Sequence, residues 1–102
     1  MGFRLIHTRE RPDFRLCTIM HSSGFFLGLM EHTNGTGTGF NERAAGLDHF
    51  ALRVPDRASL EAWAKRLDDL GVENSGVQDE SAGPLIVFRD PDNIQLELIH
   101  SP

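Results

Sequence analysis

One relation inside the chain constrains its fold more than any local motif. The sequence repeats itself weakly at a fixed offset of 69 residues. Leu70-Gly71-Val72 lies over Met1-Gly2-Phe3, and Leu85-Ile86-Val87-Phe88 lies over Leu16-Cys17-Thr18-Ile19. Leu96-Glu97-Leu98-Ile99 lies over Leu27-Gly28-Leu29-Met30, and no gap is needed between Met1 and Glu31. Apolar residues coincide often by chance, so identity alone decides little. The stronger signal is that turns fall on turns. Asn93 lies over Gly24, and both residue types tolerate the left-handed backbone of a tight turn.

The local patterns agree with two related halves. Residues 3–7 (FRLIH), 14–21 (FRLCTIMH) and 25–31 (FFLGLME) read as strands separated by the turns ERPD (10–13) and HSSG, which predicts an antiparallel meander. Residues 32–46 (HTNGTGTGFNERAAG) have little to bury and read as a linker. Their GTGTG run departs from the GxGxxG spacing of a phosphate-binding loop, and no strong helix pattern follows it. GLDHFALRV then reads as a strand. The clearest helix is DRASLEAWAKRLDDLG, where Leu60, Trp63, Ala64, Leu67 and Leu70 form one apolar stripe. That stripe makes Trp63 a core residue. Asp56 is placed to cap the helix start and Gly71 to end it, with Glu61 and Lys65 as an exposed pair. Strands are expected at 73–78, 84–89 and 94–100, the last two joined by the turn DPDN. The second half is thus strand–helix–strand–strand–strand. The first half begins where the helix of the second ends, so the counterparts of Asp48 to Asp69 are missing from it. Either the module is shortened, or Met1 is an internal methionine of a longer protein.

Composition narrows the function classes. A chain of 102 residues predicts one domain. The net charge of -5, with Arg11, Arg15, Arg43, Arg53 and Arg57 scattered among acids, argues against nucleic acid and anionic membranes as partners. The single cysteine, Cys17, precludes an intramolecular disulfide, sits in the apolar run LCTIM as a buried thiol would, and fits a cytoplasmic location. No run approaches the ~20 apolar residues of a membrane span, and the N-terminus lacks the features of a signal peptide.

Two strands that otherwise read as core each carry a polar side chain, His49 in GLDHFALRV and Glu97 in RDPDNIQLEL. Taken alone, a His or Glu in a strand is more often a hydrogen-bonded structural residue than a ligand. Asp48 neighbours His49 and by strand alternation points to the other face, so it reads as structural. His7, His21 and His100 read as surface residues, and Asp90 and Asp92 as turn residues.

The motifs GLDHFALRV, LEAWAKRLDDLGV and FRDPDNIQLEL resemble the vicinal oxygen chelate superfamily of glyoxalase I, bleomycin-resistance proteins and extradiol dioxygenases. The likeness spans residues 1–100 and is most specific over 46–100. It implies an α+β fold: a βαβββ module (about 46–100) preceded by a three-stranded partial module (about 3–31), in a cupped mixed sheet. The domain organisation expected is one glyoxalase-like domain over 1–102, with a truncated first module (1–31), a linker (32–46) and a complete second module (47–102). The resemblance also implies that His49 and Glu97 are metal ligands from the first and last strands of the second module. The matching position in the first module is Gly28, which has no side chain to offer. Glu31 is an odd number of residues away and so faces the other side of its strand, whereas His32 has the right parity but lies at the strand's end. No catalytic residue beyond the ligands is assigned.

Imidazole nitrogen and carboxylate oxygen suit a divalent Fe, Mn, Ni, Co or Zn ion. Two protein ligands are few, so weak or absent metal is expected in an isolated monomer. Three function classes follow: a metal-dependent lyase or dioxygenase acting on a small oxygenated substrate, a non-catalytic protein sequestering a small molecule, and an inactive remnant whose role is association. A three-stranded module without a helix leaves apolar surface and an open edge, which favour a homodimer. The expected outcome in sedimentation at micromolar concentration is a species larger than one chain; a compact monomer there contradicts the expectation.

Overall fold

The fold was analysed in a computed structural model that describes residues 1–101. Two compact units form, Met1–Thr38 and Gly39–Pro102. Among the described residues the first holds strands β1 (Phe3–Arg11), β2 (Phe14–His21) and β3 (Phe26–His32), paired antiparallel in the order β1-β2-β3. The second holds β4 (Phe50–Arg53), helix α1 (Arg57–Asp69), β5 (Gln78–Glu80), β6 (Gly83–Arg89) and β7 (Gln95–Ile99). Its sheet runs β4-β7-β6-β5, with β4 parallel to β7 and the other pairs antiparallel. Among the described residues no helix is long and apolar enough to cross a membrane.

The repeat is present in the hydrogen-bond ladders. Gly28 faces Thr18 across β2 and β3, and Glu97 faces Val87 across β6 and β7, the same pairing displaced by the sequence offset. Arg9↔Leu16 and Gln78↔Leu85 match in the same way. The turns match too, since Gly24 (φ 89°) and Asn93 (φ 69°) both adopt the left-handed conformation.

In the second unit the core lies between α1 and one face of the sheet. Leu60, Ile86 and Leu98 are fully buried, joined by Val54 and Leu67, with Leu52, Trp63, Ala64 and Phe88 packed around them. Side chains alternate along a strand, so Ala51, Val87 and Glu97 point away from the helix. Asp56 caps α1 as expected, its Oδ1 accepting from Ser59 N at 2.7 Å. Gly71 leaves the helix at φ 70°.

Several local expectations change. Leu70 is 58% exposed, because the helix ends at Asp69 and the stripe stops one turn earlier than its periodicity suggests. Glu61 pairs with Arg57 at 3.5 Å, and Lys65 pairs with Asp69 at 2.7 Å, in place of a Glu61–Lys65 pair. The strand expected at 73–78 reduces to a single bridge, Asn74↔Phe88, with ladder pairing resuming at Gln78. Ser75 accounts for this: its Oγ accepts from Val87 N, giving β6 a side-chain partner where a ladder bond would run. The opening strand is longer than expected, because β1 absorbs a bulge between Leu5 and His7 and continues to Arg11. Cys17 is exposed, since no helix covers the sheet of its own unit. The linker divides: from Gly39 onward it belongs to the second unit, with Phe40 N donating to Asp92 O (2.8 Å) and Asn93 Nδ2 donating to Phe40 O (3.0 Å).

Gly83 has a stricter requirement. Its φ is 128°, and a Cβ there would lie 2.2 Å from the carbonyl oxygen of His100. Both left-handed strain and backbone overlap oppose any side chain. Gly83→Ala is expected to destabilise the second unit by about 1–3 kcal/mol, read as a lowered midpoint in urea unfolding.

Candidate metal centre

The site lies on the face of the second sheet that α1 does not cover. Parallel pairing sets Ala51 opposite Glu97, and β6 sets Val87 on Glu97's other side. Flanked by these apolar neighbours, the Glu97 side chain is 14% exposed. His49 lies just ahead of the β4 ladder, and its ring reaches the same face as Glu97. Its Nε2 is 3.6 Å from Glu97 Oε2. The chain thus brings together two residues 48 positions apart in sequence.

His49 precedes the first ladder residue, Phe50, and Asp48 lies outside the strand altogether. Strict alternation therefore does not apply to Asp48, which turns toward His49. Asp48 Oδ2 lies 2.8 Å from His49 Nδ1, a contact that the reading of opposite faces missed. From Asp48 a polar chain runs along the sheet. Gln95 Nε2 donates to Asp48 Oδ2 (3.4 Å), and Arg89 donates to Gln95 Oε1 (3.0 Å). The Arg89 guanidinium also grips both oxygens of Glu42, at 2.7 and 3.1 Å, and donates to Asn93 O at 3.0 Å.

The electrostatics follow from these contacts. The hydrogen bond to Asp48 raises the His49 pKa above the usual imidazole range; partial burial opposes this, and the Glu97 charge adds to it. The Arg89 fork is the main reason that the Glu42 carboxyl is lowered to about 2.

The donor set fits a divalent transition metal. Two metal–ligand bonds of about 2.1 Å at right or tetrahedral angles set their donors roughly 3.0–3.4 Å apart. The observed 3.6 Å is within a small side-chain adjustment of that spacing. No cluster of three or more metal-capable side chains occurs among the described residues. Gly28 offers nothing at the matching position of the first sheet, and Glu31 is engaged by Arg15. Asp90 serves its turn, accepting from Asp92 N and Ile94 N.

Comparison with known proteins agrees with the fold. The family model of the Glyoxalase/Bleomycin resistance protein/Dioxygenase superfamily matches residues 1–98. No curated protein matches the sequence. Among solved structures, a glyoxylase/bleomycin resistance protein/dioxygenase domain from Frankia sp. EAN1pec is 26% identical, with a TM-score of 0.89 over 98% of this chain and 79% of that one. TnmS3, an antibiotic binding protein from Streptomyces sp. CB03234, is 21% identical with a TM-score of 0.71 over 99% of this chain and 77% of its own. A variant of the fosfomycin resistance protein FosX from Listeria monocytogenes, complexed with Mn(II) and a dihydroxypropylphosphonic acid, is 20% identical with a TM-score of 0.68, covering 95% and 71%.

The Arg89–Glu42 pair generates a prediction. A carboxyl lowered on folding adds stability above its unfolded value near 4.5, and that stability is lost as pH falls toward about 2. Glu42→Gln is therefore expected to unfold at lower urea than wild type at neutral pH, with the gap closing as pH drops from 4.5 to 2. Parallel urea titrations across that range check it.

Proposed function

The chain belongs to the Glyoxalase/Bleomycin resistance protein/Dioxygenase superfamily, and from that premise we propose that it is a metal-dependent enzyme of the glyoxalase or dioxygenase type, acting on a small oxygenated substrate, with His49 and Glu97 as metal ligands. The observation that carries this reading is the 3.6 Å approach of His49 Nε2 to Glu97 Oε2 on the open face of the sheet. A histidine nitrogen and a sheltered carboxylate at this separation make a two-point grip. Glu97 brings the negative charge, and its apolar flanks, Ala51 and Val87, limit competition from water. A bound divalent ion with free positions would polarise a substrate oxygen as a Lewis acid. Mn(II) is the natural first probe, since the FosX relative was solved with it.

The remaining coordination positions are assigned to the substrate and to a second copy of the chain. Leu5, Phe26 and Leu29 are each more than half exposed on the first sheet, and such apolar surface favours self-association. A second reading is sequestration of a small molecule without turnover. The short donor set favours it, because two side chains hold a metal weakly, and TnmS3 is named for antibiotic binding.

Metal analysis after chelator-free purification separates the two. The enzyme reading predicts near-stoichiometric Mn(II) uptake, weakened by about 100-fold or more in both His49→Ala and Glu97→Ala, as loss of a direct ligand exceeds the 10–100-fold cost of losing its support. Uptake that is equal in wild type and variants overturns it. No uptake, with small-molecule binding intact, favours sequestration.

A further inference from the structure

A neutral imidazole has one proton for two nitrogens, and its partners decide which nitrogen keeps it. Both candidate partners of His49 are carboxylates, which only accept. Asp48 Oδ2 is 2.8 Å from Nδ1, well within hydrogen-bond range, whereas Glu97 Oε2 is 3.6 Å from Nε2, outside it. We propose that Asp48 is a positioning residue that fixes His49 in its Nδ1–H tautomer, so that the Nε2 lone pair faces Glu97, and that Gln95 holds Asp48 in that role.

An exposed aspartate beside a histidine is usually a loose surface pair. Here the aspartate is 64% exposed, so its own burial does not hold it. The polar chain does. Every link has one chemical polarity: Arg89 donates to Gln95 Oε1, and that orients the amide so that Gln95 Nε2 donates to Asp48. Reversing the Gln95 amide would set donor against donor at Arg89. Arg89 is itself held at three points, by both Glu42 oxygens and by Asn93 O. The direction set by this anchored guanidinium passes through one amide to the carboxylate and ends as a proton on Nδ1. Gln95 and Glu97 alternate with Leu96 and so share the face with His49.

The purpose of this device rests on the metal reading above; its test does not. In metal-free, ¹⁵N-labelled protein at a pH where imidazole is neutral, long-range ¹H–¹⁵N correlations report the tautomer directly. Wild-type His49 is expected as Nδ1–H, and Asp48→Ala as predominantly Nε2–H with an otherwise unchanged backbone spectrum. Gln95→Leu is expected to shift the populations in the same direction by a smaller amount. Cobalt(II) titrations at the same pH should weaken by about 10–100-fold in Asp48→Ala. An Nε2–H wild type overturns the proposal even if Asp48→Ala fails to fold, and so does an Asp48→Ala protein that keeps Nδ1–H. Unchanged populations in Gln95→Leu remove the supporting role of Gln95. A wild type that is Nδ1–H yet binds no cobalt supports the positioning role while counting against the metal reading.

Discussion

The parallel pairing of β4 with β7 is the constraint on which the second unit depends. Parallel neighbours cannot be joined by a tight turn, so the chain must leave the sheet and return. Helix α1 starts that excursion, and its apolar side closes over Leu52, Ile86 and Leu98. The same pairing sets Ala51 beside Glu97 and carries His49 to within 3.6 Å of it. One pairing therefore serves both the core and the His49–Glu97 approach, on opposite faces of a single ladder.

The two faces answer to different physics. Toward α1 the residues are aliphatic, and burial is the driving force. The other face mixes apolar residues, Ala51 and Val87, with a line of ionic and amide side chains matched donor to acceptor. Glu42, Arg89, Gln95, Asp48 and His49 form a continuous sequence of such contacts. Only Glu97 lacks a hydrogen bond within it, and Glu97 is also the more sheltered member of the pair with His49. A carboxylate left open at the end of an otherwise satisfied network is suited to receive a cation.

Much of this was legible in residue order. The 3.6-residue stripe of α1, its Asp56 cap and its Gly71 exit follow from local chemistry, as does the left-handed turn at Asn93. The self-similarity at 69 residues reappears as matched strand registers, because alternation and turn position together leave little freedom in a hairpin. What escaped was long-range or lay at strand ends. The Asp48 contact depends on the chain leaving ladder geometry just before Phe50. The grip of Arg89 on Glu42 spans 47 residues and draws half of a seemingly idle linker into the second unit. Cys17 in its apolar run and Leu70 at the end of the helical stripe are both exposed, because an apolar pattern does not say whether another element covers it.

The coincidence of registers between the two sheets has a wider meaning. Thr18 meets Gly28 as Val87 meets Glu97, so the two ladders offer geometrically equivalent addresses. One address carries a carboxylate and the other is blank. Main-chain hydrogen bonding is indifferent to that choice, since neither side chain takes part in the ladder. An architecture of this kind can acquire or surrender coordination chemistry one residue at a time while its scaffold stays intact, which makes chemical identity a far more labile trait than shape.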